Sequence, residues 1–131
     1  MLAVDTNIIV RVLTDDDPAQ AAQARDVLAA GDVLIRTTVL LETEWVLRRG
    51  YGFARGRVVR GLRNLCGLPG VVVEDLNMLA QAFDWAESGM DMADALHLAG
   101  SSGCAAFVSF DRALARSAER VGAPIQVRAP R

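Results

Sequence analysis

Four acidic side chains stand where the surrounding sequence is largely apolar. Asp5 ends the stretch "LAVD", and Asp111 directly follows "AAFVSF". Glu42 lies within "TVLLETEWVL", and Asp94 lies one turn after Asp91 in "DMADALHLAG". Grouped carboxylates cannot all stay ionised without a counter-charge, and Mg²⁺ or Mn²⁺ is the natural one because hard cations prefer oxygen ligands. The chemistry that such a group supports is metal-assisted hydrolysis, with a phosphate ester as substrate.

Each of these acids also has an ordinary structural explanation as a helix cap, a turn residue or an ion-pair partner. Asp91 fits the role of helix cap, which leaves Asp94 as the inward-facing acid of that helix. Glu42 and Glu44 each share a helix face with apolar residues three and four positions away, so spacing alone does not choose between them. The joint placement of four acids is what favours a metal site.

The elements that must position these acids alternate along the chain between strands and helices. Helices are predicted within 6–17, 18–31, 37–50, 51–67, 75–89, 91–103 and 111–122. Strands are predicted at 2–5, 32–36, 68–74 and 104–110, with a last edge strand at 124–128. Short, continuously apolar strands between helices are typical of a parallel sheet covered on both faces.

The predicted fold is therefore α/β: a three-layer α/β/α sandwich around a central, mainly parallel sheet, formed by residues 1–131 as a single domain. Ligands of such sheets bind beyond the carboxyl ends of the strands. We accordingly expect Asp5 and Asp111 to lie at the same edge of one sheet, with Ser109 near Asp111.

Composition narrows the class of protein. The chain has 131 residues, of which 52% are hydrophobic, so a packed core is expected rather than disorder. All 14 basic residues are arginines, which excludes activities that need a lysine. Cys66 and Cys104 form no metal-type spacing or disulfide framework, and no signal peptide or membrane-length apolar run is apparent. A soluble, cytoplasmic protein with no membrane association is the expectation.

Other phosphate-handling folds fit the sequence poorly. A receiver-like module needs a lysine near its phosphoryl group, and a haloacid-dehalogenase-like phosphatase shows a D-x-D pattern where this chain has "DTN". Neither a G-x-x-x-x-G-K-[ST] loop nor a G-x-G-x-x-G turn is present. The remaining alternative to an enzyme is a non-catalytic α/β interaction module whose acids are caps and ion-pair partners, and it predicts no metal binding.

Four segments, "LAVDTNIIV", "LLETEWVLR", "DMADALHLA" and "FVSFDRAL", resemble the four acidic blocks of the PIN-domain family. More closely, the chain resembles the VapC-type toxins of bacterial toxin–antitoxin pairs, in order and spacing, from Met1 to about Ala118. The resemblance implies a Mg²⁺- or Mn²⁺-dependent ribonuclease that hydrolyses RNA phosphodiester bonds. It makes Asp5 and Asp94 the principal metal ligands, and Glu42 and Asp111 the other acids of the site.

The same resemblance implies supporting residues and partners. Thr6 and Ser109 match small hydroxyl positions that support the acids. A cognate antitoxin protein and a homodimer are implied as partners, besides the RNA substrate.

The roles of several further residues have two interpretations each. The arginine-rich stretch 48–63 is either a solvated face or a surface that grips phosphate, and Arg112 is another phosphate-binding candidate. His97 has no His or Cys partners at zinc spacing, so a packed or hydrogen-bonded histidine is expected. The apolar group at 45–47 with Tyr51 fits either a core or a groove for a partner helix.

Overall fold

The computed structural model describes the whole chain, from Met1 to Arg131. Seven α-helices, one π-helical turn and five short strands follow one another. The order is β1 (Leu2–Ala3), α1 (Thr6–Thr14), α2 (Pro18–Ala29), β2 (Val33–Ile35), α3 (Thr37–Trp45), the π-turn (Val46–Gly50), α4 (Arg55–Cys66), β3 (Val71–Val73), α5 (Leu76–Glu87), α6 (Met92–Ala99), β4 (Phe107–Val108), α7 (Arg112–Arg120) and β5 (Val127–Arg128). The predicted α/β class is confirmed, and every strand pair is parallel.

The chain divides into two compact units, Met1–Leu76 and Asn77–Arg131. The first contains a three-stranded sheet in the order β1-β2-β3, and the second contains the pair β4-β5. That the whole chain acts as one domain stays a prediction.

The sheet of the first unit is centred on β2. Val33 lies opposite Leu2 on one side and Val71 on the other, and Val33 and Ile35 are fully buried. The β-branched side chains suit such a position because they pack well on a pleated, covered surface. β1 is an edge strand of this sheet. Val4 is buried, but Leu2 and Ala3 are exposed, so the expected cover on both faces of the sheet is absent at β1.

Helices α1 to α4 supply the rest of the first core. Ile9 of α1, Ala21 of α2, and Val59 and Leu62 of α4 are fully buried. α2 begins as predicted, with Asp17 as cap and Pro18 in its first turn. The chain leaves it through Gly31, whose φ of +79° is a conformation that favours glycine.

The helices α5, α6 and α7 of the second unit each carry buried apolar side chains. Leu79, Ala95 and Leu98 are fully buried. Phe107 of β4 lies opposite Val127 of β5, so the predicted last strand is confirmed in shortened form. None of the helices in the structure is both long enough and apolar enough to cross a membrane.

One expectation about the sheet is wrong. Asp5 follows β1, which pairs with β2, whereas Asp111 follows β4, which pairs with β5. The two acids therefore end strands of two different hydrogen-bonded sheets. Each of these strands is only two residues long, and apolar runs of that kind do not reveal which strands pair.

Candidate metal centre

Asp5 is placed by the start of α1. It is the N-cap residue, and its Oδ1 accepts a hydrogen bond from the backbone N–H of Thr6 at 2.8 Å. The exposed N–H groups of a first helical turn interact favourably with an acceptor oxygen at this position. A carboxylate can accept several hydrogen bonds or ligate a cation while one oxygen serves as the cap.

Thr6 connects this acid to the second acidic block. Its side chain is buried, and its hydroxyl donates a hydrogen bond to Oε1 of Glu42 on α3. Asp5, Thr6 and Glu42 line one cavity of about 350 Å³. The structure therefore brings Asp5 and Glu42 together, as predicted, and Thr6 supports an acid as the family resemblance implied.

Burial and pairing distinguish Glu42 from Glu44. Glu44 is only 1% exposed, and its Oε1 accepts a bond of 2.6 Å from Nε of Arg48, one helical turn further on. That ion pair satisfies Glu44 inside the fold. Glu42 is exposed and faces the cavity, so it is the acid of this helix that has room for a ligand.

In the second unit, Asp91 and Asp94 open α6. Asp91 is the N-cap residue, and its Oδ1 accepts from the backbone N–H of Asp94 at 3.1 Å, which confirms its predicted role as cap. Asp94 is partly buried. Burial raises the pKa of its carboxyl above the ordinary value, and the negative charges of Asp91 and Asp111 raise it further, while His97 opposes them.

Asp111 is the N-cap residue of α7. Its carboxylate accepts a hydrogen bond from the backbone N–H of Leu114 at 3.0 Å. The hydroxyl oxygen of Ser109 accepts a bond from the backbone N–H of Asp111, also at 3.0 Å. Ser109 thus fixes the backbone that carries the acid, and Asp111 lies close enough to Asp94 for their charges to repel.

The structure therefore forms two acidic groups, one in each unit. Asp5 lies with Glu42, and Asp94 lies with Asp91 and Asp111. Within the described chain, no three His, Cys, Asp or Glu side chains form a group that could hold a metal ion. The convergence of all four predicted acids on one site stays a prediction.

His97 is exposed, and its ring stacks on that of Phe107 with the ring centroids 6.4 Å apart. The expected packing of this histidine is limited to that ring contact, because its side chain stays exposed.

A family model described as "PIN domain" matches residues 2–120. The chain belongs to the PIN-domain family. This family has a nuclease fold, and its members are generally metal-dependent nucleases of RNA or DNA. No curated protein and no solved structure matches the chain. All four predicted site acids lie within the matched part of the PIN domain.

The acids of this PIN domain suit a hard divalent cation. All four offer carboxylate oxygens, the ligands that Mg²⁺ and Mn²⁺ prefer. Burial is the main reason that the pKa of Asp94 is raised; crowding with the charges of Asp91 and Asp111 raises it further, and His97 lowers it. A cation bound there would relieve that crowding.

The acid-lined cavity of this PIN domain also contains residues for which no catalytic role was predicted. Tyr51 and Arg11 line it together with Asp5 and Glu42. The Tyr51 hydroxyl donates to Oδ2 of Asp16 at 2.6 Å, and Arg11 bonds to Oδ1 of the same residue at 3.2 Å. The hydrogen bond from Tyr51 is the main reason that the pKa of Asp16 lies below its ordinary value. Sequence patterns did not point to this group, because a π-helical turn brings Tyr51 to it.

The arginines of the stretch 48–63 differ in their surroundings: some are held by a partner, and others are exposed at a cavity. Arg48 is held by Glu44, as described. Arg57 and Arg60 are exposed and line a second cavity of about 310 Å³ with Phe53 and Asn64. Only part of the stretch is therefore available to a phosphate-bearing ligand.

Proposed function

We propose that this PIN domain is a metal-dependent ribonuclease and the toxin of a VapC-type toxin–antitoxin pair. The observation that carries the proposal is the connection of two acidic blocks at one cavity. Asp5 caps the helix that begins with Thr6, and Thr6 donates to Glu42. A hydroxyl that fixes an acid from a distant part of the chain has no explanation in helix capping, whereas a site that must aim two carboxylates at one ligand requires such a contact.

The four predicted acids would hold Mg²⁺ or Mn²⁺, with Asp5 and Asp94 as principal ligands and Glu42 and Asp111 as the other acids. When bound, the metal supplies a water of lowered pKa and a positive charge that stabilises the transition state at phosphorus. The site needs no lysine and no histidine base, which agrees with a chain that has no lysine and one histidine.

The protein's own residues prepare the acids for this task. The backbone N–H groups in the first turns of α1 and α7 hold the carboxylates of Asp5 and Asp111 in position. Thr6 orients one oxygen of Glu42. Asp94 retains a proton more readily than an ordinary aspartate, and it must release this proton before it can ligate a cation.

The non-catalytic alternative is supported by part of the structure. Asp5, Asp91 and Asp111 are all helix N-caps, as an interaction module with structural acids predicts. Capping does not explain Glu42 or Asp94, because Glu42 bonds a hydroxyl on another helix and Asp94 is half-buried among like charges. Metal binding separates the two proposals.

The proposed partners are an RNA substrate, a cognate antitoxin and a second copy of the chain. The proposed location of the protein is the cytoplasm. Exposed apolar side chains in the first unit support a protein partner: Trp45 is 56% exposed, and Leu68 and Val72 are exposed as well. Arg57 and Arg60, exposed beside the second cavity, support a polyanionic substrate.

The test is cleavage of a mixed RNA by purified, antitoxin-free protein with Mg²⁺, with Mn²⁺ and with EDTA. Asp5→Asn and Asp94→Asn should each lose cleavage. Asp17→Asn is the matched control, because Asp17 caps α2 outside the acid-lined cavity and asparagine caps equally well. Cleavage that persists in EDTA, or that is equal in wild type and both site variants, would contradict the proposal.

A further inference from the structure

The π-helical turn Val46–Gly50 determines where the next aromatic residues lie. The backbone N–H of Tyr51 bonds to the carbonyl of Val46 at 3.2 Å, and that of Phe53 bonds to the carbonyl of Leu47 at 3.1 Å. This wider turn replaces the regular helical one, a feature that is frequent at functional sites. As a result Tyr51 lines the acid-lined cavity, and Phe53 lines the arginine-lined one.

Two aromatic rings and one guanidinium group stack in series directly after the π-helical turn. The rings of Tyr51 and Phe53 are stacked, with centroids 5.9 Å apart and planes 12° apart. The guanidinium carbon of Arg57 lies 4.9 Å from the centroid of the Phe53 ring. Both distances are typical of attractive stacking and cation–π contacts. The series leads from the cavity with Asp5 and Glu42 to the cavity with the arginines.

The Tyr51 ring is fixed and yet accessible. Its hydroxyl is anchored to Asp16, and its side chain remains 38% exposed. An anchored aromatic ring can stack on a ligand with little further loss of side-chain entropy.

The second cavity is suited to an anion. Arg57 and Arg60 are exposed at its wall together with Asn64, and none of its lining residues is acidic. Arginine forks match phosphate oxygens, and the stack on Phe53 holds one fork in place.

We propose that Tyr51 stacks on an unpaired base beside the phosphate at the acid-lined cavity, while Arg57 and Arg60 contact the backbone phosphate of an adjoining nucleotide. This contact needs an unpaired base, because the bases of a duplex are not available for stacking. This inference rests on the proposed ribonuclease function and adds a determinant of substrate choice.

The first test measures RNA binding in EDTA, so that no cleavage occurs, by fluorescence anisotropy of a labelled single-stranded oligonucleotide and of its duplex. Tyr51→Leu keeps apolar volume and removes the ring, and it should weaken single-strand binding about 5- to 100-fold, the effect of losing one base–aromatic stack. Duplex binding should not change. Leu76→Ala removes an exposed apolar side chain outside both cavities and should bind like wild type.

The second test identifies stacking itself. Oligonucleotides with one abasic position each are bound to wild type, Tyr51→Leu and Tyr51→Phe. Wild type and Tyr51→Phe should lose affinity at one particular abasic position, and Tyr51→Leu should show no further loss there, because the ring and the base form one interaction.

Different experimental results would contradict the stacking inference and the ribonuclease proposal. If Tyr51→Leu binds single strands like wild type while metal-dependent cleavage persists, the stacking role is overturned and the nuclease stands. If Tyr51→Phe weakens binding as much as Tyr51→Leu, the ring is not the determinant. If the wild-type protein binds no single-stranded RNA, the stacking inference is also overturned. If the wild-type protein shows no metal-dependent cleavage, the ribonuclease proposal is overturned.

Discussion

The hydroxyl of Thr6, the first residue of α1, donates a hydrogen bond to the carboxylate of Glu42 on α3. Thr6 is buried and Glu42 is exposed to the cavity. Because the donor, Thr6, is held in the core, it determines where one oxygen of Glu42 points. In a metal site, such an orienting hydrogen bond is nearly as important as the ligand itself.

Thr6→Val should lower RNA cleavage by about 10- to 100-fold, as expected when the partner that orients a ligand is removed. Valine has nearly the same shape, so the helix should remain folded, while the hydroxyl is lost. Thr6→Ser keeps the donor and should retain most activity. Rates are measured with saturating Mn²⁺, and thermal unfolding checks the fold. Equal rates for Thr6→Val and Thr6→Ser would show that the bond does not matter.

Asp94→Asn should stabilise the metal-free protein at neutral pH and raise its Tm by a few degrees. The pKa of Asp94 is raised in the folded state, so the folded protein binds this proton more tightly than the unfolded chain. The free energy of unfolding of wild type therefore falls as the pH rises from the ordinary value of 3.8 through the raised pKa. Asp94→Asn has no ionisable carboxyl at this position, so its free energy of unfolding does not decrease for this reason.

Thermal unfolding in EDTA across this pH range measures the difference between wild type and Asp94→Asn, which should be small at low pH and larger near neutrality. Added Mn²⁺ should raise the Tm of wild type more than that of the variant, because a bound ligand stabilises the folded state. A variant less stable than wild type at neutral pH would contradict the predicted charge crowding.

Tyr51→Phe should raise the pKa of Asp16. The phenol hydroxyl is the main cause of the lowered value, ahead of the hydroxyl of Thr14. A carboxyl with a lowered pKa in the folded state contributes stability above its ordinary value, and this contribution is lost as the pH falls through the folded value. NMR titration of the Asp16 carboxyl carbon measures the change directly. An unchanged titration curve would mean that the hydrogen bond is not formed in solution.

Arg48→Met should destabilise the protein by ~3 kcal/mol, because it leaves the buried Glu44 carboxylate without its partner. Arg49→Met is the matched control, since Arg49 is exposed and its loss should change little. Adding Glu44→Gln to Arg48→Met should recover part of the loss. Urea unfolding at neutral pH measures all three variants. If Arg48→Met and Arg49→Met are equally stable, the ion pair is not a structural one.

The sequence predicted the alternation of strands and helices because turn signals bound each element. Pro18 begins α2, and the chain turns at Gly31 directly after it, as the pattern indicated. Asp91 as the cap of α6 was likewise predictable, since Asp is a strong N-cap and a helical apolar pattern follows.

Other features were not predictable because they depend on contacts between distant residues. Glu42 and Glu44 are two positions apart on one helix and look equivalent in the sequence. Only the pairing of Glu44 with Arg48 and the approach of Thr6 to Glu42 separate them. Strand pairing and the π-helical turn that places Tyr51 are likewise tertiary features, which short apolar runs do not encode.

The proposal tested most directly is that Asp5, Glu42, Asp94 and Asp111 ligate a metal ion. Fe²⁺ in place of Mg²⁺, with ascorbate and peroxide, cleaves a protein backbone near the bound ion, and the fragments are identified by mass spectrometry. We predict cleavage near Asp5 or Glu42 and also near Asp94 or Asp111, suppressed by excess Mg²⁺ and absent in Asp94→Asn. Cleavage near only one of these pairs of acids, or cleavage that neither Mg²⁺ nor the substitution reduces, would contradict the proposed set of metal ligands.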